Sequence, residues 1–190
     1  MAALRLTLLL TVLTGLLYPL AGLLLARTFW PGQAAGGLVL RDGRVVGADL
    51  IAQPFTAPGY FWGRPSALVP DGFQPSGGSN LGPRDPALAE AVAKRIKALA
   101  EAGPVPDEPV PIDLVTTSAS GLDPHISPAA AYYQVPRVAR ARGLETAVVR
   151  ALVAAAVEGR QLWILGEPRV NVLRLNLSLD ALGGPPAGKP

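Results

Sequence analysis

From Leu6 to Ala26 the chain carries no charged side chain, a run of 21 residues. Coiled as an α-helix at about 1.5 Å per residue, such a run is roughly 30 Å long, the thickness of a hydrocarbon core. No water reaches that depth, so a spanning segment must pair its own backbone groups, and a helix does. The composition agrees: 49% of residues are hydrophobic and only 16% are charged. Phe29 and Trp30 follow the run, with aromatic rings where a membrane–water interface favours them. A cleaved secretory signal is the competing reading, with Arg5 as its charged region and Pro19–Gly22 as its cleavage site. Leu23, Leu24 and Leu25 resume the apolar run after those small residues, which favours a retained anchor.

The anchor has an uneven surface. At about 100° per residue, Thr11, Gly15, Tyr18, Gly22 and Ala26 share one face, and leucines cover the rest. Small residues let a second helix approach closely in lipid, so this face is a candidate partner-helix contact. Chance placement in a Leu-rich helix is the alternative. Pro19 removes one helical hydrogen bond, and a kink is expected there. Charge does not fix the orientation, because Met1 and Arg5 lie on one side and Arg27, Arg41 and Arg44 on the other.

Beyond the anchor, Leu38–Gly47 reads as a β-hairpin turning at Asp42-Gly43. Prolines and glycines are dense from Gln53 to Pro83, a stretch expected to be functional or mobile. Asp85-Pro86 opens a helix that runs to about Ala102. A short strand is expected at Ile112–Val115, and Ser127-Pro128 starts a helix ending at Gly143, with a kink or break at Pro136. A third helix spans Glu145–Glu158, Val170–Leu175 alternates like a strand, and Leu177–Leu182 reads as a last helical turn. The chain therefore divides into an N-terminal segment 1–5, a transmembrane helix 6–26, a single small soluble domain 27–182 of α+β class, and a frayed tail 183–190.

The residue inventory argues against autonomous catalysis. There is one histidine, His125, and no cysteine. No serine sits in a Gly-x-Ser-x-Gly elbow, and the acidic residues are scattered. One histidine without cysteine does not make a zinc site, so no catalytic residue and no metal ligand is assigned, and His125 is read as a structural hydrogen-bonding group. The net charge of +3 is modest. Lys94, Arg95, Lys97 and Arg137, Arg140, Arg142 read as solvated helix faces, and nucleic acid is not an expected partner. Gly183–Lys189 imitates a phosphate loop, but Pro190 stands where the magnesium-binding hydroxyl belongs. Gln74, Ser76, Gly77, Gly78 and Ser79 form a second candidate, a loop whose backbone N–H groups and hydroxyls suit a nucleotide phosphate or a partner backbone. An ordinary surface loop fits the same residues.

Several motifs together carry a family resemblance. They are Thr117–Ala131, with Ser120, Gly121, Asp123, Pro124 and His125 at its centre, followed by Gln134-Val135 and Arg137–Ala139; Tyr60–Ala67; the Ser76–Asn80 loop; Gly166–Leu173 running into Leu175–Leu177; and Tyr18-Pro19 in the anchor. With these, nearly the whole chain resembles the C subunit of the Kdp-type potassium-transporting ATPase. The resemblance implies an accessory, non-catalytic subunit of a high-affinity potassium uptake complex in the bacterial inner membrane. Its partners there are a channel-like A subunit, a P-type ATPase B subunit and lipid. It also implies a cytoplasmic N-terminus, a single span and a domain outside. It implies no firmly bound cofactor, with ATP as a candidate reached through the complex. The family is further described as a catalytic chaperone that raises ATP affinity through the Gln74–Gly78 stretch. ATP is cytoplasmic, so a domain outside the membrane does not meet it, and the assembly role is the more coherent. Two alternatives stay open: an anchored extracytoplasmic binding module unrelated to transport, and a filter element built on the hydroxyls of Thr116, Thr117, Ser118 and Ser120.

Overall fold

The computed structural model describes residues 1–67 and 76–183 and forms two compact units, divided between Ala48 and Asp49. Gln74 and the phosphate-loop imitation beyond Gly183 lie outside the described residues.

The first unit begins with one continuous helix, Ala2–Phe29, long and apolar enough to cross a membrane and with no buried residue. It consists of α1 (Ala2–Val12), a π-helical turn (Leu13–Leu17) and α2 (Tyr18–Phe29). The expected irregularity at Pro19 takes the form of that π turn. Proline offers no N–H, and just before it Tyr18 N–H reaches five residues back to Leu13 O. A short helix α3 (Pro31–Ala34) leads to the hairpin, β1 (Leu38–Arg41) against β2 (Arg44–Ala48). Asp42 and Gly43 both take positive φ, 51° and 75°, the signature of the primed turn that matches strand twist.

In the second unit, α4 (Pro86–Glu101) starts on the Asp85 side chain, which accepts from Ala87 N–H. There follow α5 (Ile112–Val115), β3 (His125–Ile126), α6 (Pro128–Arg142), α7 (Thr146–Ala156), β4 (Val157–Glu158), β5 (Arg169–Asn171) and α8 (Val172–Ala181). The sheet has the order β3-β5-β4, all antiparallel. Val138 of α6, Val149 and Val153 of α7, Leu175 and Leu179 of α8, Ile126 and Val170 of the sheet, and Phe61 make the core. The α+β reading holds.

Five expectations are corrected. Residues 112–115 form a helical turn, closed by Thr116 N–H on Ile112 O, although their β-branched residues favour a strand. The strand expected through Leu175 stops at Asn171, whose side chain caps α8 by accepting from Arg174 N–H. The buried residues Val172, Leu175, Asn176 and Leu179 show why: their spacing is helical. The third helix ends at Ala156 and yields to β4. Finally, α6 runs through Pro136 unbroken, and Arg137 and Arg142 are not solvated but buried.

Candidate functional site

In the second unit, the Tyr60–Ala67, Ser76–Asn80 and Thr117–Ala131 motifs that carried the family resemblance are joined by polar contacts. At their centre is the segment around Tyr60, Phe61 and Trp62, which has no regular secondary structure; Gly59, Tyr60 and Phe61 are nevertheless buried and Trp62 is half-buried. A buried backbone without a helix or strand ladder needs partners from elsewhere. Side chains supply them. The Asn176 amide of α8 accepts from Phe61 N–H at 2.8 Å and donates to Phe61 O at 2.9 Å. The Gln134 amide of α6 does the same for Trp62, at 2.8 and 3.1 Å. Arg137 donates to Pro58 O and Tyr60 O, and Arg142 donates to Gly59 O. Two helices thus read five consecutive residues of backbone, much as a neighbouring strand would.

The aromatic rings close the arrangement. The Arg137 guanidinium lies 4.3 Å from the centre of the Trp62 ring, and Arg142 lies 4.7 Å from Tyr60. Arg142 also pairs with Asp180 at 2.7 Å, and Tyr60 hydroxyl donates to the same carboxylate. Burial, helped by Asp180, raises the Tyr60 pKa above its ordinary value. Burial likewise pushes Arg137 down to about 10, which leaves it protonated at neutral pH.

The signature loop lies beside this clamp. Ser76 hydroxyl and Gly77 N–H both donate to Ser120 O, at 2.8 and 2.9 Å. Ser79 and Thr117 share a hydroxyl–hydroxyl bond of 3.0 Å. Gly78 packs so tightly that a Cβ there would sit 3.2 Å from Ala119 O, backbone that has little room to yield. Ser118 and Ser120 hydroxyls accept from Gly121 and Leu122 N–H, and Thr116 hydroxyl donates to Ile112 O. These hydroxyls, put forward as filter groups, are engaged in turn and capping bonds. Asp123 accepts from His125 N–H and from Arg64, which also donates to Thr117 O. Pro124 O accepts from Val172 N–H, tying the signature to α8. Burial, then the nearby Arg169, lowers the His125 pKa below its ordinary value. Among the described residues no group of His, Asp and Glu is arranged to hold a metal.

In the anchor, Tyr18, Gly22 and Ala26 repeat every four residues along α2 and share a face. Gly15 lies inside the π turn and Thr11 before it, so the stripe is turned back at its N-terminal end relative to a regular helix. Open space surrounds both Gly15 and Gly22. Sequence reasoning placed Ser76–Ser79 and Ser120–His125 in separate candidate groups, and the structure brings them into one. That reasoning gave Gln134 and Asn176 no role beyond the family match and read Arg137 and Arg142 as a solvated helix face. The signal that could have found Gln134, Arg137 and Asn176 is polar residues at helical spacing, 134 and 137 in α6 and 176 and 180 in α8.

A family model described as the K+-transporting ATPase c chain, KdpC, matches residues 1–181. The chain belongs to the KdpC family. A potassium-transporting ATPase KdpC subunit from Sorangium cellulosum is 62% identical over 180 residues, 94% of this chain and 95% of that one. Those of Polaromonas naphthalenivorans and Burkholderia vietnamiensis are 60% identical over 182 residues and 58% over 177. They cover 95% and 92% of this chain, and 93% and 92% of their own lengths. As a KdpC chain with one apolar N-terminal helix, the protein is a subunit of a potassium-transporting ATPase and fits a single-pass membrane protein of that complex.

Proposed function

We propose that this KdpC chain is an accessory, non-catalytic subunit that assembles and stabilises a high-affinity, ATP-driven potassium uptake complex. Its partners are a channel-like A subunit and a P-type ATPase B subunit. The anchor lies in a bacterial inner membrane with its N-terminus in the cytoplasm and the second unit outside. It binds no cofactor firmly, and ATP acts on it only through the complex.

One observation carries this reading: in a chain of this family, the helix Ala2–Phe29 leaves its apolar surface wholly uncovered. The bonding of the signature loop supports it further. Ser76 and Gly77 already spend donors on Ser120, and the Ser79 hydroxyl is bonded to that of Thr117, which speaks against a standing role as a phosphate cradle.

Purification of the complex in mild detergent tests the assembly role. Gly15→Leu and Gly22→Leu, each filling open space on the stripe, should reduce recovery of the A and B subunits with this chain. Undiminished recovery with both changes together refutes the helix contact. Labelling a cysteine placed at Ser76 in intact cells tests the rival role in ATP affinity. Reaction with a membrane-impermeant reagent from outside removes the ATP contact; protection from outside with reaction after lysis restores it.

A further inference from the structure

The connection between β4 and β5 carries Gln161-Leu162-Trp163-Ile164-Leu165 at its tip. Leu162, Trp163, Ile164 and Leu165 are 78, 92, 73 and 53% exposed. Four consecutive bulky apolar side chains in water form the longest such run among the described residues of the second unit. Single exposed apolar residues need no explanation, but a contiguous patch marks a contact surface.

The backbone under the patch is built, not loose. Gln161 and Leu165 exchange both backbone hydrogen bonds, at 2.9 and 2.8 Å, and Ile164 N–H reaches Gln161 O. Below them the Arg160 guanidinium grips both oxygens of Glu167 at 2.7 Å. Leu162 and Trp163 take φ of 50° and 69°. Positions with positive φ in a tight turn ordinarily go to Asn and Gly, because a bulky side chain there is strained. Here two large apolar residues hold them. A sequence that breaks its local preference so plainly, at side chains 78 and 92% exposed, points to a role outside the fold.

We infer that residues 161–165 form a preformed docking knob, with Trp163 at its apex, for an apolar pocket on another subunit of the same ATPase. This rests on the assembly reading above and adds a second contact, on the soluble unit, to that of the anchor. A protein pocket is favoured over a lipid surface on two grounds. Lipid makes no demand for a fixed turn, whereas a pocket rewards one that is rigid before binding. Surface-bound apolar loops also draw on an excess of Lys and Arg, and this one is flanked by Glu158, Arg160, Glu167 and Arg169, two of each sign.

The test uses the full chain in the assembled complex. A photo-crosslinking phenylalanine derivative placed at position 163 should join the chain to another ATPase subunit in native membranes. Trp163→Ser should weaken retention of that subunit about tenfold or more, as loss of a central tryptophan does at an interface, and Trp163→Phe should recover most of it. Since Trp163 is exposed, the melting of the chain itself should not change in either variant. Crosslinks to lipid alone, to a second copy of this chain, or to nothing overturn the knob while leaving the assembly role intact. If the unaltered chain fails to retain any other subunit, the assembly reading falls and the knob with it.

Discussion

The anchor helix and the segment around Tyr60 face the same requirement and meet it in opposite ways. Both must satisfy backbone N–H and C=O groups where bulk water does not reach, the one in lipid and the other in a protein interior. The anchor does so within itself and spends no side chain, so its exterior is free to be leucine. The Tyr60 segment has no ladder of its own and borrows Gln134, Arg137, Arg142 and Asn176. One region is therefore apolar outside and the other polar inside, the inverse of the usual rule in each case. A lesion should injure one region without touching the other, and that independence is open to direct attack.

The largest effect is expected at Arg137. Arg137→Met keeps much of the stem but leaves Pro58 O, Tyr60 O and the Gln134 side chain without their charged donor. Orphaning the buried Tyr60 O costs about 1–3 kcal/mol and losing the contact with the Trp62 face about 1–2 kcal/mol more, so a loss on the order of 4 kcal/mol is expected. Thermal melting followed by circular dichroism measures it. Arg140→Met, three residues on and exposed, should stay within about 0.5 kcal/mol. Equal losses from the two would show that the buried position is not special. Membrane partition of Arg137→Met should match that of the unaltered chain.

Next in size is the reciprocal lesion. Leu16→Arg places a charge in the middle of the span, at a cost of about 2.5–3.5 kcal/mol to insertion. The chain should shift toward the alkali-extractable fraction while the second unit melts unchanged. A matching drop in that melting temperature would couple the two regions and defeat the comparison. Asn176→Leu comes third. It removes both partners of Phe61 but no charge, and about 2 kcal/mol of stability should be lost in the same melting experiment.

These contrasts explain what was legible in the sequence. The span, the Asp42-Gly43 hairpin, and the caps at Asp85 and Ser127 could be read because each is decided by its own few residues. Local chemistry did not decide residues 112–115 or the 170–175 run, where tertiary packing overrode strand propensity. The clamp was hidden for a related reason. Arg137 and Arg142 look like any helical cations until the chain folds Pro58–Trp62 against them, some 80 residues away in sequence. The signature residues Ser120–His125 were found by likeness to a family, and only the structure assigned their hydroxyls and carboxylate to turns, caps and the Arg64 bridge.

The smallest effect expected belongs to His125, and its sign separates a structural histidine from a working one. Burial and Arg169 hold its folded-state pKa below the ordinary 6.5, so the folded chain prefers the neutral ring. The unfolded chain therefore takes up a proton first as the solution is acidified. The stability that His125 contributes is complete above pH 6.5 and declines as pH falls through the lowered value. Asp123, Glu158 and Asp49 pull the other way, which keeps the slope shallow. His125→Gln retains a polar group but not the titration, so it should flatten the fall in melting temperature between pH 7 and pH 5. At pH 7.5 it should cost no more than about 1 kcal/mol. A steeper acid loss in the variant than in the unaltered chain would mean that the ring is held protonated. In that case the pairing with Asp123, whose carboxylate lies 3.7 Å from Nδ1, would be the dominant interaction at this end of the signature.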